Sequence, residues 1–317
     1  MKARDSLIVF VFSFNRGRFL LNCIKSIDSF LDGFEVVIVD DESTDKDTQN
    51  VLAAVSKRHR VLKNDGVGEY EEKTGGLAGS MNMAMAYAAE RGYEYALFIQ
   101  DDMQLVRPVL NEDFSNISSY FDKIINTIQL SSTFVRKLSS GDFLNKYDIR
   151  DSASAYIRIE GSERGKSNFS ATGVFSVSRF HRLFGRFEVG EAKNSAKAIS
   201  LGLTCGRSIY PFMCWLPYPS SFRGKKKNLK HRFFEHFGRS GFYPIKQMSD
   251  TEVETFLRRN PSYIPVMEEF LYSPSSPRHD VWSTGGGEYN FLGYGGALSK
   301  LFLAAKSTKK LMRDLGL

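Results

Sequence analysis

Two pairs of carboxylates end apolar runs in this chain: Asp40-Asp41 in "VVIVDDESTD" and Asp101-Asp102 in "ALFIQDDM". One such pair after a strand reads as a helix cap, because Asp, Ser and Thr accept bonds from free N–H groups. Two pairs on the same edge of one sheet would repel each other unless a cation or hydrogen-bond donors sat between them. That points to a divalent metal with a polar ligand. Mg²⁺ or Mn²⁺ suits a site of few carboxylates completed by phosphate oxygens. Between the pairs, Gly75, Gly76 and Gly79 of "TGGLAGSMNMAM" allow close backbone approach. The helix they open offers free N–H groups to a ligand, and a tight turn packed on the sheet is the alternative. Their spacing matches neither the dinucleotide fingerprint nor the P-loop.

The elements that must position these groups alternate regularly. Apolar runs at 7–12, 36–39, 61–62 and 95–99 read as strands. Helical spacing runs through Phe19, Leu20, Cys23, Ile24 and Ile27, then over 48–56 and 77–90. Continuous apolar strands alternating with helices predict an α/β fold, with a mostly parallel central sheet covered on both faces. Ligands of such sheets bind beyond the carboxyl ends of the strands. "SFNR", "DDESTD" and "QDDM" stand there.

A chain of 317 residues can bury a sizeable core, and its length suits one large domain or a domain with an appended subdomain. Its hydrophobic share of 42% and charged share of 25% exclude wholesale disorder. No apolar run is long enough to span a bilayer. "MKARDS" passes straight into "LIVFVFSFN", which reads as a buried strand and lacks the cleavage site of a signal peptide. Cys23, Cys205 and Cys214 are an odd number without metal-like spacing, which favours a reduced, cytoplasmic setting. The net charge of +7 is uneven: residues 1–216 hold 27 basic and 27 acidic side chains, and 217–317 hold 16 and 9. The excess suggests an acidic partner (a membrane, a phosphate-bearing substrate or nucleic acid) or a solvated basic tail.

The ordered set "VFSFNRGRFLLNCIKSI", "VVIVDDESTD", "GGLAGSMNMAM" and "ALFIQDDM" resembles the nucleotide-sugar-binding half of family 2 glycosyltransferases, which have the Rossmann-like GT-A fold. The resemblance covers about residues 6–107 and is fainter over 168–212. It implies that Phe12, Ser13, Phe14, Asn15 and Arg16 lie on the donor-binding segment. Phe14 would stack on the base of the nucleotide, with a core role as its alternative. Asp41 would accept the imide N–H of a uracil- or thymine-type base, and Asp40 would support the turn. Asn15 and Arg16 would lie near base and diphosphate. Ser43, Thr44 and Asp45 are left to cap the following helix. "QDDM" occupies the place of the family's DxD motif, so Asp101 would contact the ribose and Asp102 the metal. Gln100 replaces the first Asp, and a plain N-cap is the alternative. Gly76 and Asn82 belong to a loop and helix near the donor, where Met81 replaces a frequent Arg.

On the acceptor side, Thr172-Gly173 matches a turn that lines the sugar pocket, and "GRFEVGE" looks like the segment that normally carries Glu-Asp. Here the pair is Glu191-Ala192. Inverting transfer needs a general base for the acceptor hydroxyl. Glu191 is the expected base and Glu188 the second choice, although Glu191 could equally be a first-turn helix acid.

The implied function is a metal-dependent, inverting glycosyltransferase in cell-surface polysaccharide synthesis. Its donor would be a nucleoside-diphosphate sugar, UDP type favoured, and its acceptor an oligosaccharide or a lipid-linked glycan. A cytoplasmic place, peripheral at the inner face of the membrane, goes with that reading. The altered Gln100 and Ala192 suggest the alternative of a non-catalytic nucleotide-sugar or glycan-binding module. A nucleotidyltransferase would need an arginine-containing glycine-rich N-terminal loop, which is missing. Nucleic-acid binding has only charge behind it and is set aside.

The expected division is a catalytic domain over 1–216, in halves 1–107 and 108–216, and a basic extension with helical and loop parts over 217–317. In the extension, Arg223, Lys225, Lys226 and Lys227 could meet phosphate, and His231, His236 and His279 are candidate metal ligands. Leu298, Leu301, Phe302, Ala305, Leu311 and Met312 can share a helix face opposite Lys300, Lys306, Lys309 and Lys310. Such a helix suits a membrane surface, the catalytic domain or a second subunit of a homo-oligomer.

Overall fold

Leu7–Ser13 (β1) is buried at every position, and its alternate side chains enter two different cores. In the computed structural model, which describes residues 3–64, 76–136, 143–159, 169–216 and 242–275, β1 lies between two parallel partners. These are β2 (Val36–Asp40) and β4 (Tyr95–Gln100), and β3 (Arg60–Lys63) pairs outside β2. Further strands are β5 (Met103–Leu105), β6 (Thr127–Ser131), β7 (Tyr147–Arg150), β8 (Ala155–Arg158), β9 (Gly173–Ser176), β10 (Thr204–Ser208) and β11 (Met213–Trp215). Nine of them form one sheet in the order β3-β2-β1-β4-β9-β6-β10-β8-β7, and β11 pairs with β5.

The helices are α1 (Ala3–Ser6), α2 (Gly17–Phe30), α3 (Lys46–Val55), α4 (Leu77–Glu90), α5 (Asn111–Lys123), α6 (Val177–Arg179), α7 (Glu191–Ser200), α8 (Asp250–Leu257) and α9 (Met267–Phe270). Val9 and Val11 face Leu20, Ile24 and Ile27 of α2 and Ile117 and Phe121 of α5. Ile8, Phe10 and Phe12 face Met81, Ala84, Met85 and Ala88 of α4, with Phe180, Phe184 and Phe187 beyond. The fold is therefore α/β with helices on both faces, as expected. The parallel pattern holds for β3-β2-β1-β4, and beyond β4 the ladders are antiparallel except β6 with β10. For β7 and β8 the reason is connection length. β7 and β8 are joined across Asp151 to Ser154, too short for the crossover that parallel neighbours need.

Two close approaches set the layers. A Cβ on Gly17 would lie 2.6 Å from the backbone of Asp47 and Thr48, so α2 and α3 meet at a bare glycine. The chain after 241 returns to the core, where Ile245, Met248, Val253, Phe256, Met267 and Leu271 cover Phe19, Val106, Phe134, Cys214 and Leu216. Gln104 locks it by donating from Nε2 to Ile245 O at 2.7 Å and accepting from Ile245 N at 3.0 Å. The three cysteines are buried and unpaired. Among the described residues no helix is long and apolar enough to cross a membrane. Gly75, Arg223, the three lysines 225–227, His231, His236, His279 and the amphipathic face over 298–312 lie outside the described residues.

Just before β2, the Glu35 carboxylate accepts from Tyr87 Oη at 2.8 Å and Tyr93 Oη at 2.7 Å. Burial raises its pKa, but the tyrosine hydrogen bonds, Arg91 and Arg60 outweigh burial and hold it below the ordinary 4.5. A depressed carboxylate stabilises the fold above its unfolded pKa and loses that contribution as pH falls through the folded value. Glu35→Gln should therefore be less stable than wild type at pH 7, with the gap closing as pH drops below 4.5. Urea unfolding at both pH values measures this, and a pH-independent gap would refute it.

Candidate functional site

The register of the parallel strands lines up their carboxyl ends. Ser13 stands opposite Asp40, Phe12 opposite Gln100 and Asp40 opposite Lys63. The backbone then continues the ladder by one bond at each end. Asp41 N donates to Ser13 O at 3.0 Å, Asp101 N to Phe12 O at 3.0 Å and Asn64 N to Asp40 O at 2.9 Å. Residues 13–16, 40–45, 64 and 100–102 therefore share one edge.

At its centre lies Arg16, immediately before α2. Its Nη1 donates to Asp101 Oδ1 at 3.2 Å and Asp102 Oδ2 at 2.7 Å. These side chains are 12%, 6% and 18% exposed, so the triad is largely out of water. Phe14 N donates to Asp101 Oδ2 at 3.2 Å, which engages the second oxygen of Asp101 as well. Burial pushes Asp101 above the usual carboxylate range, the Arg16 guanidinium opposes this, and Asp102 adds to it. Asp102 differs: its Oδ1 is buried and has no hydrogen-bond partner among the described residues. The cation expected between the acids is thus supplied in part by the chain itself, with one carboxylate oxygen left over.

The other pair is built differently. Asp40 is buried, accepting from Ser43 N at 2.8 Å and Ser43 Oγ at 2.6 Å. Asn15 has φ 50°, a left-handed conformation that Asn tolerates better than most residues. Its N–H donates to Ser43 Oγ at 2.9 Å, and its Oδ1 accepts from Thr44 N at 2.7 Å and Asp45 N at 3.0 Å. Of the expected caps only Asp45 caps α3, accepting from Thr48 N at 2.9 Å. Ser43 and Thr44 are committed to Asp40 and Asn15 instead, a correction that also moves the helix start to Lys46.

Asp41 reaches across to α4. Its Oδ2 accepts from Gly76 N at 2.5 Å and its Oδ1 from Asn64 Nδ2 at 3.0 Å. A Cβ on Gly76 would sit 2.3 Å from Asp41 Oδ1 and 2.5 Å from Asn64 Nδ2, so a larger residue would have to displace these two side chains. The Gly76 N–H expected to face a ligand is therefore donated to Asp41, which fills the positive end of α4. Asn64 was not singled out from the sequence, although it directly follows β3 on the same edge; applying the strand-end rule to that short strand would have found it.

The remaining candidates are packed or bonded separately from the Arg16 triad. Phe12 packs edge-on against Phe98 in the core, with centroids 5.0 Å apart, and Met81 is buried among core residues. Ser13 is buried, and its Oγ has no hydrogen-bond partner among the described residues. Thr172 is buried and bonds Ser170 Oγ through its Oγ1 at 3.1 Å. Gly173 has φ 119° and would place a Cβ 2.6 Å from Leu130 O. Gly173 stands opposite Phe98 in the antiparallel ladder, so Thr172 lies one residue nearer the strand-end edge. Asn82 exchanges both amide bonds with the backbone of Phe187, at 3.1 and 2.9 Å. Glu188, next in the chain, pairs with Lys197 Nζ at 3.6 Å. Glu191 is exposed in the first turn of α7. No hydrogen bond or ion pair among the described residues joins either glutamate to the Arg16 triad.

One end of this edge offers a hard-oxygen donor to a divalent cation. No group of three or more His, Cys, Asp or Glu able to hold a metal exists among the described residues. The orphaned Asp102 Oδ1 can give one hard-oxygen bond, and a phosphate-bearing ligand would complete the shell.

Residues 8–112 match the family model Glycosyl transferase family 2, which covers the segment carrying the resemblance. No curated protein matches the chain. Among solved structures, the chain is similar to a mannosyltransferase from Pyrobaculum calidifontis in complex with GDP-Man and Mn²⁺: 14% identity, TM-score 0.45, 96% of this chain and 80% of that one. It is also similar to glucosyl-3-phosphoglycerate synthase from Mycobacterium tuberculosis in complex with Mn²⁺, UDP and phosphoglyceric acid: 16% identity, TM-score 0.37, 62% of this chain and 63% of that one.

Arg16→Met would leave Asp101 and Asp102 without their shared guanidinium, a loss of about 3–5 kcal/mol for partners of this burial. The variant should melt well below wild type, and Mn²⁺ should raise its melting temperature more than that of wild type. Equal Mn²⁺ shifts for the two proteins would count against a cation site at Asp102.

Proposed function

We propose, with the glycosyl transferase family 2 match over residues 8–112 as the premise, that this chain transfers a sugar from a nucleoside-diphosphate sugar to a hydroxyl of a glycan acceptor. The observation that carries the reading is the strand edge inside the matched segment, where Arg16, Asp101 and Asp102 converge and Asp102 Oδ1 is left unpaired. Asp41 and Phe14 read and stack the base, UDP type favoured, while Asn15 and Asp40 hold their loops. Phe12, Ser13 and Gln100 form the floor, with Gly76 and Asn82 on the α4 side. Asp101 takes the ribose, and Thr172 and Gly173 line the sugar pocket. Asp102 is the protein ligand of Mn²⁺ or Mg²⁺. Such an ion neutralises charge on a departing diphosphate.

The reaction is a single displacement with inversion. The acceptor oxygen forms its bond to the anomeric carbon as the bond from that carbon to the phosphate oxygen breaks. The acceptor proton goes to a carboxylate, Glu191 first and Glu188 second. Glu191 suits the role by its exposure and lack of an ion pair among the described residues, whereas Glu188 is held by Lys197. Residues 1–216 form the catalytic unit, with 217–317 as an extension. The acceptor is an oligosaccharide or a lipid-linked glycan of the cell surface, used at the cytoplasmic face of the membrane.

The second reading, a module that binds nucleotide sugar without transferring it, is favoured by Ala192 in the place of the usual Asp. Two measurements separate these readings. A thermal-shift screen of UDP- and GDP-sugars with and without Mn²⁺ should yield a metal-dependent shift, and none for any nucleotide would refute a donor site. Glu191→Gln should abolish release of nucleoside diphosphate in the presence of acceptors while leaving nucleotide affinity within about twofold of wild type. Wild-type turnover in that variant would refute the assignment of the base.

A further inference from the structure

A second arginine stands at the same edge and has been given no role. Thr133 pairs in parallel with Met213, and Phe134 N donates to Met213 O at 3.1 Å. Arg136 follows two residues after that bonded Phe134, and Leu216 directly follows β11. Leu216 N in turn donates to Asp102 O at 2.8 Å, continuing the β11–β5 ladder. The segment that ends in Arg136 is thus bridged to β11, and β11 runs on into the residue bonded to Asp102. On its other side the Arg136 segment is pinned by Val135, which pairs with Val266 and accepts from Met267 N at 2.7 Å. That contact brings Glu268, in the first turn of α9, to the flank of Arg136.

Arg136 is half-buried, yet it makes no hydrogen bond and no ion pair within 4.0 Å with any described residue. Burial pushes its pKa down, and Asp102 and then Glu268 pull it back, so both carboxylates lie within electrostatic reach. A half-buried guanidinium that spends none of its five donors on its neighbours is an expensive arrangement unless a ligand takes them. Asp102 Oδ1 is unpartnered among the described residues. An acceptor-only oxygen and a donor-only fork, within electrostatic reach and not bonded to each other, can be completed together by a cation-bound diphosphate. The carboxylate would hold the metal, and the fork would take phosphate oxygens.

We propose that Arg136 is a diphosphate-binding residue of this site, approaching the phosphates from beyond β11 while Arg16 approaches from the end of β1. The inference rests on the reading of the strand edge as the donor site. In the transfer reaction the leaving diphosphate gains negative charge as the anomeric bond breaks, so a guanidinium there favours departure as well as binding.

The test is calorimetric titration of wild type, Arg136→Lys and Arg136→Gln with UDP and with GDP, each with Mn²⁺, and with the corresponding nucleosides alone. For whichever diphosphate wild type binds, Arg136→Gln should bind about tenfold more weakly. Arg136→Lys, which keeps the charge without the fork, should fall between, and all three should bind the nucleoside equally. Equal diphosphate affinity in the three proteins, or parallel loss of nucleoside and diphosphate, would overturn the inference. If the Gln variant does not fold, the comparison of Lys with wild type decides by the same criterion. Should wild type bind neither diphosphate, the donor-site reading itself falls; a wild type that binds and variants that match it remove only Arg136.

Discussion

One guanidinium nitrogen shared by two largely buried carboxylates is the interaction on which the strand edge depends. Carboxylates about 4 Å apart repel by roughly 4 kcal/mol at an effective dielectric of about 20, so Asp101 and Asp102 need Arg16 between them. Its effect spreads along the chain. Asp101 also receives Phe14 N, which fixes the turn after β1. That turn presents Asn15 to Ser43, Thr44 and Asp45, and Asp45 caps α3. Three strand ends are thereby coupled through side chains, in addition to the ladders that run between the strands.

The same edge shows why both carboxylate pairs were legible and why their division of labour was not. Position after a buried apolar run is a sequence property, so Asp40, Asp41, Asp101 and Asp102 could be placed on one edge from the strand pattern. Which oxygen is engaged depends on residues far away in sequence: Gly76 and Asn64 for Asp41, Arg16 for Asp102. The helix Leu77–Glu90 was readable to the residue because a glycine-rich turn precedes it and Arg91-Gly92 follows it. α3 begins two residues earlier than its apolar spacing suggests, because a side-chain cap sets the start.

The far half of the sheet was hardly legible. β7, β8 and β10 carry "YDIR", "AYIR" and "TCGRS", where arginines interrupt the apolar signal. Arg150 is exposed, whereas Arg158 and Arg207 are sheltered. Arg158 Nη1 donates to Tyr147 Oη at 3.0 Å, and Arg207 Nε lies 3.4 Å from the same hydroxyl. Tertiary packing makes a strand of residues that local pattern would leave as loop. Glu188 and Glu191 were singled out by resemblance alone. Their surroundings, Asn82 clasping Phe187 and Lys197 beside Glu188, are long-range and medium-range contacts that no local pattern carries.

The return of the chain after residue 241 bears on the order of events during synthesis. Every described strand of the large sheet precedes residue 209, so a nascent chain can pair them all before the last third leaves the ribosome. Phe19, Val106, Phe134 and Leu216 still wait for Ile245, Phe256 and Met267, and Gln104 waits for the Ile245 backbone. Until then a greasy flank beside the strand-end carboxylates stays open to solvent. At ~5–20 residues per second that interval lasts several seconds. Closure of that flank therefore follows the pairing of the sheet, and Leu271 is the last of these residues to arrive.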